Sequence, residues 1–386
     1  MRHDGTATSE RADVVFACGG TGGHVYPALA VARALAGLRP EWKLRFLGRE
    51  GGLEARVVPA GGFPFTGFRV GGLRGKGFGE RLRGLLLLPG AVLRSFAFLH
   101  RARPRIVVGT GGYVSGPVLL AALLRGIPFL IQEQNRAFGA TNRLLHRFAA
   151  VTAVSFEETA ASARRTVVTG NPARPEFAAI PPLSPFSERG NGEFRILVFG
   201  GSQGSRRLNR AVVEALPLLA AERGKISLRH QTGPNEFEEV REGWRKAGLE
   251  AEADRCVTPY VERMAEAFAQ ADLVVCRAGA STVAELTASG RPSVLVPFPY
   301  ATGDHQRENA MVLSEKGAAI LVNDAEMTGV RLAEILRRFL KDPAELSAMA
   351  EKSRSLGRPD AALRIAELCV AIAEGAGARA GEGARA

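Results

Sequence analysis

The stretch Cys18-Gly-Gly-Thr-Gly-Gly-His24 lies between two patterned segments of the chain. Residues 13–17 before it predict a short buried strand, and residues 25–38 after it predict a helix that tolerates Pro27 in its first turn. Four glycines between a strand and a helix allow a tight turn and leave the first helical amides uncovered, and such amides favour an anion. The stretch therefore predicts an anion- or sugar-binding turn with His24 beside it. A plain glycine turn whose histidine caps the helix is the alternative.

The first half of the chain repeats this arrangement. Short apolar runs at 44–47, 105–108, 129–132 and 151–155 alternate with helical patterns, which predicts βαβ units and a parallel sheet. The second of these runs leads into Gly109-Thr-Gly-Gly-Tyr-Val-Ser-Gly-Pro117, and the third ends in Gln132-Glu-Gln-Asn135. Ligands of such sheets lie beyond the carboxyl ends of the strands, so we expect the three endings to converge on one crevice.

A proline-, serine- and glycine-containing segment at 180–192 predicts a domain boundary, after which the pattern starts again. An apolar strand at 194–199 leads into the glycine loop at 200–205 and then a helix, and further strands are expected at 226–230, 255–258, 273–276 and 293–296. The strand at 273–276 is followed by Arg277-Ala-Gly-Ala-Ser-Thr-Val-Ala-Glu285. The small residues, the hydroxyl groups and Arg277 suit an anion-binding site. Glu285 suits hydrogen bonding to the two hydroxyls of a ribose. The alternative is that Glu285 only complements the helix dipole.

Composition narrows the class of protein. The chain has 386 residues, 46% of them hydrophobic, which predicts two ordinary globular domains. Its formal charge of +12 suggests nucleic acid, an anionic membrane or a phosphorylated substrate, but no zinc-finger spacing or aromatic RNA motif is present, so nucleic acid is not expected. Four dispersed cysteines, no signal segment and no apolar run long enough to span a bilayer predict a cytoplasmic protein without disulfides or a metal site.

Eight motifs, in order along both halves, resemble the MurG family of bacterial glycosyltransferases. They are GGTGGH at 19–24, GLRGKG at 72–77, GGYVSGP at 111–117, QEQN at 132–135, GNP at 170–172, GGSQG at 200–204, RAGASTVAEL at 277–286 and DHQRENA at 304–310. Enzymes of this family move N-acetylglucosamine (GlcNAc) from UDP-GlcNAc to lipid I, the undecaprenyl-pyrophosphoryl-MurNAc-pentapeptide, and so make lipid II for peptidoglycan. The resemblance implies this inverting reaction here.

The resemblance also implies a fold and a division of the chain. It implies an α/β GT-B fold of two Rossmann-like domains, each with a parallel sheet, that face each other across a cleft. The acceptor domain is expected at 12–172, with a final helix at 359–375 packed back on it. A linker at 173–193 leads to the UDP-GlcNAc-binding domain at 194–358. The tails 1–11 and 376–386 are expected to be disordered.

Site residues are carried over motif by motif. The donor-binding set implied by the resemblance is Thr21, Gly22, Gly23, Asn135, Arg174, Ser202, Val261, Arg277, Ala280, Ser281, Thr282, Val283, Ala284, Glu285 and Gln306. The acceptor-binding set is Gly111, Gly112 and Tyr113. Inversion needs a base for the acceptor hydroxyl, and we expect His24 first and Glu133 second. No cofactor or metal is implied, and some relatives carry two glutamines where this chain has His305-Gln306, which leaves His305 without an assigned role.

The segment 71–103 interleaves apolar and basic side chains. It suits either a core-packing helix with a solvated basic face or a helix that lies in a membrane interface. Because the implied acceptor is a lipid, the interfacial interpretation is favoured for Phe78, Leu82, Leu85 and Leu86. The protein is then expected at the cytoplasmic face of the plasma membrane, with an anionic lipid surface and other wall-synthesis proteins as partners.

Three other functions stay open at this point. Another GT-B sugar-nucleotide enzyme, either a glycolipid synthase or a UDP-GlcNAc 2-epimerase, fits the glycine turns but gives no role to a lipid-facing patch. An NAD-dependent dehydrogenase fits less well, since the sixth position of a GxGxxG motif begun at Gly20 is Val25. A membrane-bound scaffold without catalysis would have no need for His24, Glu133, Glu285 and Gln306.

Overall fold

A computed structural model describes residues 11–68, 78–161, 165–189 and 192–375, apart from the side chains of 78–87 and 302. The chain forms two compact units. The first comprises Met1–Pro172 and Asp360–Ala386, and the second comprises Ala173–Pro359. The GLRGKG motif at 72–77 lies outside the described residues, as do residues 1–10 and 376–386 of the tails.

The first unit is built on a parallel sheet that has seven strands among the described residues, in the order β3-β2-β1-β4-β5-β6-β7. The strands are β1 (Val14–Ala17), β2 (Leu44–Arg49), β3 (Phe65–Phe68), β4 (Ile106–Gly109), β5 (Phe129–Glu133), β6 (Val151–Val154) and β7 (Thr166–Val168). The helices of this part are α1 (Gly22–Leu38), α2 (Leu53–Ala60), α3 (Phe78–Ala102), α4 (Ser115–Leu124), α5 (Ala140–Leu145) and α6 (Glu157–Ala160). β1 is buried on both faces, and the strand order reverses between β1 and β4.

The second unit repeats the plan with six strands in the part of the chain that is described, in the order β10-β9-β8-β11-β12-β13, again all parallel. They are β8 (Phe194–Phe199), β9 (Ile226–Gln231), β10 (Val257–Thr258), β11 (Leu273–Cys276), β12 (Ser293–Leu295) and β13 (Ala319–Leu321). The helices are α7 (Pro175–Ala178), α8 (Arg206–Leu218), α9 (Phe237–Lys246), α10 (Glu250–Cys256), α11 (Met264–Gln270), α12 (Ala280–Ser289), α13 (His305–Glu315), α14 (Gly329–Lys341) and α15 (Pro343–Ser355). Two parallel α/β units confirm the predicted fold class, and the order here reverses between β8 and β11.

The described residues 173–189 of the expected linker pack onto the second unit. The rings of Phe177 and Phe186 are buried, and Phe177 meets the ring of Phe268 edge-on. Asp272, which is 1% exposed, accepts hydrogen bonds from the Arg189 guanidinium. A composition rich in proline and serine indicates irregular backbone, and irregular backbone can still be firmly packed.

The last helix, α16 (Ala361–Ala373), returns to the first unit. Its buried side chains Ile365, Ala366 and Cys369 join the same apolar cluster as Val25 and Leu29 of α1. The first unit therefore gathers its core from both ends of the chain.

One local prediction was wrong. The pattern at 255–258 predicted a strand, but α10 runs through Cys256 and leaves only two residues for β10.

The helix α3 continues through Pro89, a residue that usually ends or kinks a helix. Burial of Phe98 and Leu99 against α4 outweighs the one backbone hydrogen bond that a proline removes.

Candidate active site

The two glycine turns of the first unit meet at the reversal point of its sheet, where α/β folds bind their ligands. The turn after β1 leads into α1, and the turn after β4 leads into α4. Gly112 has a φ of +79°, and a Cβ atom there would collide with the carbonyl oxygen of Gly19. Thr110 Oγ1 donates a hydrogen bond of 2.8 Å to the carbonyl oxygen of His24. The absence of side chains thus lets the two turns form one surface.

His24 lies in the first turn of α1, after Gly22 and Gly23, and is half-buried. Its Nδ1 is 3.0 Å from the hydroxyl of Thr21, the residue that precedes the helix. The Cδ2–Nε2 edge of the ring faces Gly111, whose φ is +91° and whose lack of a Cβ leaves room for it. The structure therefore brings the predicted base together with Thr21 and Gly111.

Tyr113 belongs to the same surface. Its hydroxyl accepts a hydrogen bond of 3.3 Å from Arg49 at the end of β2, and its ring covers the position where a Cβ of Gly20 would lie. Tyr113 is thus fixed between the two turns, and its contact with the acceptor stays a prediction.

Glu133 is the second candidate base predicted from the sequence. Its carboxylate is 1% exposed and accepts four hydrogen bonds. Oε1 receives the backbone and side-chain amides of Asn135 at 3.0 and 3.2 Å, and Oε2 receives the backbone amide of Gly139 and Nδ2 of Asn142, each at 2.9 Å. Because this carboxylate accepts from donors on both of its oxygens, Glu133 positions the loop that carries Asn135. Its role as the second candidate base stays a prediction.

In the second unit, the loop after β8 lies beside the loop after β11, at the second reversal point. Gln231 Nε2 donates to the carbonyl oxygen of Gly201 at 2.8 Å, and Ser205 caps α8 by accepting from the amide of Leu208. Ser202 is exposed between these two anchors. The loop is therefore fixed at both ends and presents Ser202 to solvent.

The start of α12 is the second half of this site. Gly279 precedes the helix, so the amides of Ala280, Ser281 and Thr282 have no acceptor within it. The Ser281 hydroxyl oxygen is buried and has no hydrogen-bond partner among the described residues. Because Val283 and Ala284 turn their side chains inward, the predicted contact of 280–284 with a phosphate rests on the amides and the hydroxyls.

Arg174 and Glu285 form an ion pair, with Nε of the arginine 2.8 Å from Oε1 of the glutamate. Burial raises the pKa of Glu285 above its ordinary value, against the opposing effect of the Arg174 charge. The sequence assigned Arg174 to the diphosphate and Glu285 to the ribose, whereas the structure brings the two side chains together. A nucleotide that contacts one of them must accommodate the other.

Arg277 helps to hold the loop after β12. Its Nη1 donates to the carbonyl oxygens of Val296 and Pro297 and lies 2.6 Å from Asp324. Its guanidinium also lies over the ring of Phe298. These contacts fix one nitrogen of the guanidinium, and the predicted contact of Arg277 with the diphosphate stays a prediction.

Two further residues of the predicted donor-binding set are Gln306 and Val261. Gln306 lies in the first turn of α13, and its Oε1 accepts a hydrogen bond of 2.9 Å from the backbone amide of Phe298. Its Nε2 group is therefore the part of the side chain that would make the predicted sugar contact. Val261 is 3% exposed, and its backbone contact with uracil stays a prediction.

Sequence reasoning missed the partners that fix these side chains. Asp324 holds Arg277, and Asn142 holds Glu133, each across a gap in sequence that no local pattern spans. Thr110 ties the two glycine turns, and only its place directly after β4 pointed to it. Within the described ranges, no group of three or more His, Cys, Asp or Glu side chains is arranged to hold a metal ion.

The fold and the two sites define a sugar-nucleotide glycosyltransferase of the GT-B class. Residues 14–154 match the glycosyltransferase family 28 N-terminal domain, and residues 195–365 match the family 28 C-terminal domain. A solved putative UDP-N-acetylglucosamine 2-epimerase from Listeria monocytogenes has the same fold, with a TM-score of 0.67 over 94% of this chain and 97% of that one, but only 17% identity.

More similar proteins carry one name. The UDP-N-acetylglucosamine--N-acetylmuramyl-(pentapeptide) pyrophosphoryl-undecaprenol N-acetylglucosamine transferase of Myxococcus xanthus is 43% identical over 92% of both chains. Its counterpart in Anaeromyxobacter dehalogenans strain 2CP-1 is 45% identical over 93% of this chain and 92% of its own. The crystal structure of Acinetobacter baumannii MurG, 32% identical, covers 92% of this chain and 98% of its own with a TM-score of 0.74. The chain belongs to the MurG family, the N-acetylglucosaminyltransferases of peptidoglycan synthesis.

Proposed function

We propose that the protein moves GlcNAc from UDP-GlcNAc to the C4 hydroxyl of MurNAc in lipid I, with His24 as the base. The observation that carries the residue assignment is the position of His24. Its ring lies where the two glycine turns of the first unit meet, with Thr21 at Nδ1 and the side-chain-free Gly111 at the Nε2 edge.

The His24–Thr21 contact suits proton transfer. When Nδ1–H donates to the Thr21 hydroxyl, the lone pair of the imidazole lies on Nε2, at the edge that faces Gly111. The C4 oxygen then attacks the anomeric carbon, its proton passes to Nε2, and the bond from the anomeric carbon to the UDP oxygen breaks on the opposite face. One displacement of this kind inverts the configuration.

Departing UDP gains negative charge, and the second unit offers preorganised groups for it. The amides at the start of α12 and the buried hydroxyl of Ser281 can donate to phosphate oxygens without reorganising. Glu285 supplies a carboxylate for the ribose hydroxyls, and Arg174 lies beside it. The proposed steps use neither Glu133, whose carboxylate accepts four hydrogen bonds, nor Arg277, whose Nη1 is paired with Asp324.

The test is UDP release from UDP-GlcNAc in the presence of a soluble lipid I analogue. Release that requires both substrates supports transfer, whereas release from UDP-GlcNAc alone supports an epimerase or hydrolase. We expect His24→Ala to lower kcat by about 10²–10⁴-fold with little change in the donor KM. His100→Ala is the matched control, since His100 is an exposed histidine in the last turn of α3. A kcat for His24→Ala close to that of the control would remove His24 from proton transfer.

A lipid acceptor also requires a surface that meets the membrane, and we propose that α3 and α4 provide it. Leu93 is 69% exposed on α3 and Leu124 is 65% exposed on α4, with Phe96 also exposed and Arg94 adjacent. These two helices pack side by side. The predicted membrane residues Phe78, Leu82, Leu85 and Leu86 fall within α3, but their side chains lie outside the description. No described helix has the length and apolarity to cross a bilayer.

Sedimentation with vesicles that contain phosphatidylglycerol tests this surface. We expect Leu93→Glu with Leu124→Glu to reduce the bound fraction at least several-fold, because each change removes apolar contact and adds a charge that repels anionic lipid. Val330→Glu, which alters an exposed valine of the second unit, serves as the control. Equal binding of the double variant and the control would contradict the proposal.

A further inference from the structure

The second unit contains a cavity of about 380 Å³ at the edge of its sheet opposite the donor loops. Its lining includes Glu193, just before β8, and Ile226 and Leu228 near the start of β9. These are the amino ends of parallel strands, whereas the loop at Ser202 and the start of α12 follow the carboxyl ends. The cavity therefore has no residue in common with the donor site.

Trp244 of α9 is a donor in the cavity wall. The residue is 2% exposed and lines the cavity, and its indole Nε1–H has no hydrogen-bond partner among the described residues. A buried N–H without an acceptor destabilises the folded protein, since it has lost its hydrogen bond to water. The neighbouring imidazole of His230 does not supply the acceptor: its Nε2 contacts Asn209, and its Nδ1 has no hydrogen-bond partner among the described residues. An acceptor that enters the cavity would relieve this destabilisation.

The remaining lining is apolar at the walls and charged at the rim. Leu216, Leu219 and Leu249 join Trp244 in contributing apolar surface. The acids at the rim have arginine partners: Glu193 lies 3.2 Å from Arg195, and Glu252 lies 3.8 Å from Arg255. Arg223 instead donates to a neutral group, the carbonyl oxygen of Ala247, at 2.5 Å. At the rim, the Arg223 guanidinium therefore has an uncharged hydrogen-bond partner, the carbonyl group of Ala247.

We propose that this cavity binds a small aromatic carboxylate. A ring fits the leucine and tryptophan walls, and a carboxylate can accept from two donors among the lining residues, the Trp244 indole N–H and the Arg223 guanidinium. A neutral molecule of the same shape would use the apolar walls but form a weaker contact with Arg223. The proposal concerns a site apart from the transfer reaction and does not depend on it.

The experiment observes the indole N–H directly. The chain has 2 tryptophans, so ¹⁵N-labelled protein gives two indole signals, and Trp42→Phe assigns them. The full chain is titrated with 4-phenylbutyrate and, as the matched neutral probe, 4-phenylbutyramide. We expect the Trp244 signal to shift saturably with the acid and the Trp42 signal to stay unchanged. Arg223 and Lys225 are both exposed, so Arg223→Gln and Lys225→Gln remove one surface charge each.

We expect Arg223→Gln to weaken binding of the acid about tenfold and Lys225→Gln to leave it unchanged. The proposal is overturned if millimolar acid does not shift the Trp244 signal, which would mean a water-filled cavity only. It is equally overturned if acid and amide bind alike, or if Arg223→Gln and Lys225→Gln have the same affinity. Measurement of binding rather than turnover keeps these outcomes separate from a failure of the proposed transferase activity.

Discussion

Acidification should destabilise the second unit through His230. Asn209 Nδ2 donates to the carbonyl oxygen of Thr232 and to Glu236, so its Oδ1 faces His230 and accepts from Nε2–H at 3.0 Å. The other ring nitrogen, Nδ1, is buried and has no partner among the described residues. A proton on Nδ1 would therefore create a buried charge with nothing to receive its hydrogen bond.

The size of the effect follows from the pKa. Burial lowers the pKa of His230 from 6.5 to about 3. Below pH 6.5 the unfolded chain binds a proton at His230, whereas the folded chain does not bind it until about pH 3. The contribution of the neutral His230 to stability is therefore fully present above pH 6.5 and is lost as the pH falls. At about pH 5 the expected loss is about 2 kcal/mol, and it approaches about 5 kcal/mol near the folded pKa.

Urea unfolding followed by Trp244 fluorescence measures this loss, because Trp244 belongs to the apolar core of the second unit and its ring lies 6.5 Å from that of His230. The Trp42→Phe background removes the other fluorophore, which belongs to the first unit. His230→Gln is the decisive variant, since a glutamine amide can keep the donor to Asn209 but does not titrate. We expect the parent to lose about 2 kcal/mol between neutral pH and about pH 5 more than the variant loses. Parallel declines in the two proteins would refute the argument.

Three further predictions use the same structure. Glu285→Gln should raise the donor KM about tenfold or more, because the ribose loses a charged partner. Glu176, which is exposed and lies 3.9 Å from Arg174, provides the control Glu176→Gln, which should leave the KM unchanged. Equal KM values for the two variants in steady-state kinetics would contradict the assignment. Glu133→Ala should cost about 2–4 kcal/mol in urea unfolding, because four donors lose one buried acceptor, and loss of activity without loss of stability would restore Glu133 as a base. Asp272→Asn should cost about 2–4 kcal/mol and expose the segment 173–193 to limited proteolysis, and an unchanged cleavage pattern would argue against the Arg189 anchor.

The architecture was predictable from the sequence because it depends on local signals. Mostly apolar runs of four to six residues, with glycines at or soon after their ends, predicted β1, β4, β8 and β11 together with the turns that follow them. These are the strands on either side of each reversal point, so the location of both candidate sites could be predicted as well. β3 and β13 were not predicted, since their residues are only partly apolar or too few to form a pattern.

The roles of individual polar side chains were less predictable because they depend on distant partners. Arg277 and Glu133 have the residue types that phosphate binding and proton transfer need, and their positions at strand ends fit both roles. Asp324 and Asn142 contact these side chains, and no local pattern predicted either contact. His24 kept its predicted place because its partner, Thr21, is only three residues away.

The return of α16 to the first unit has a consequence for synthesis on the ribosome. Ile365 and Cys369 complete the apolar cluster begun by Val25 and Leu29, yet they are translated only after the whole of the second unit. At roughly 5–20 residues per second, the nascent first unit exposes that part of its core for on the order of ten seconds or more. Chaperones that bind exposed apolar surface would therefore bind this chain at a defined stage of its translation. The second unit, although encoded later, is the first that can finish folding.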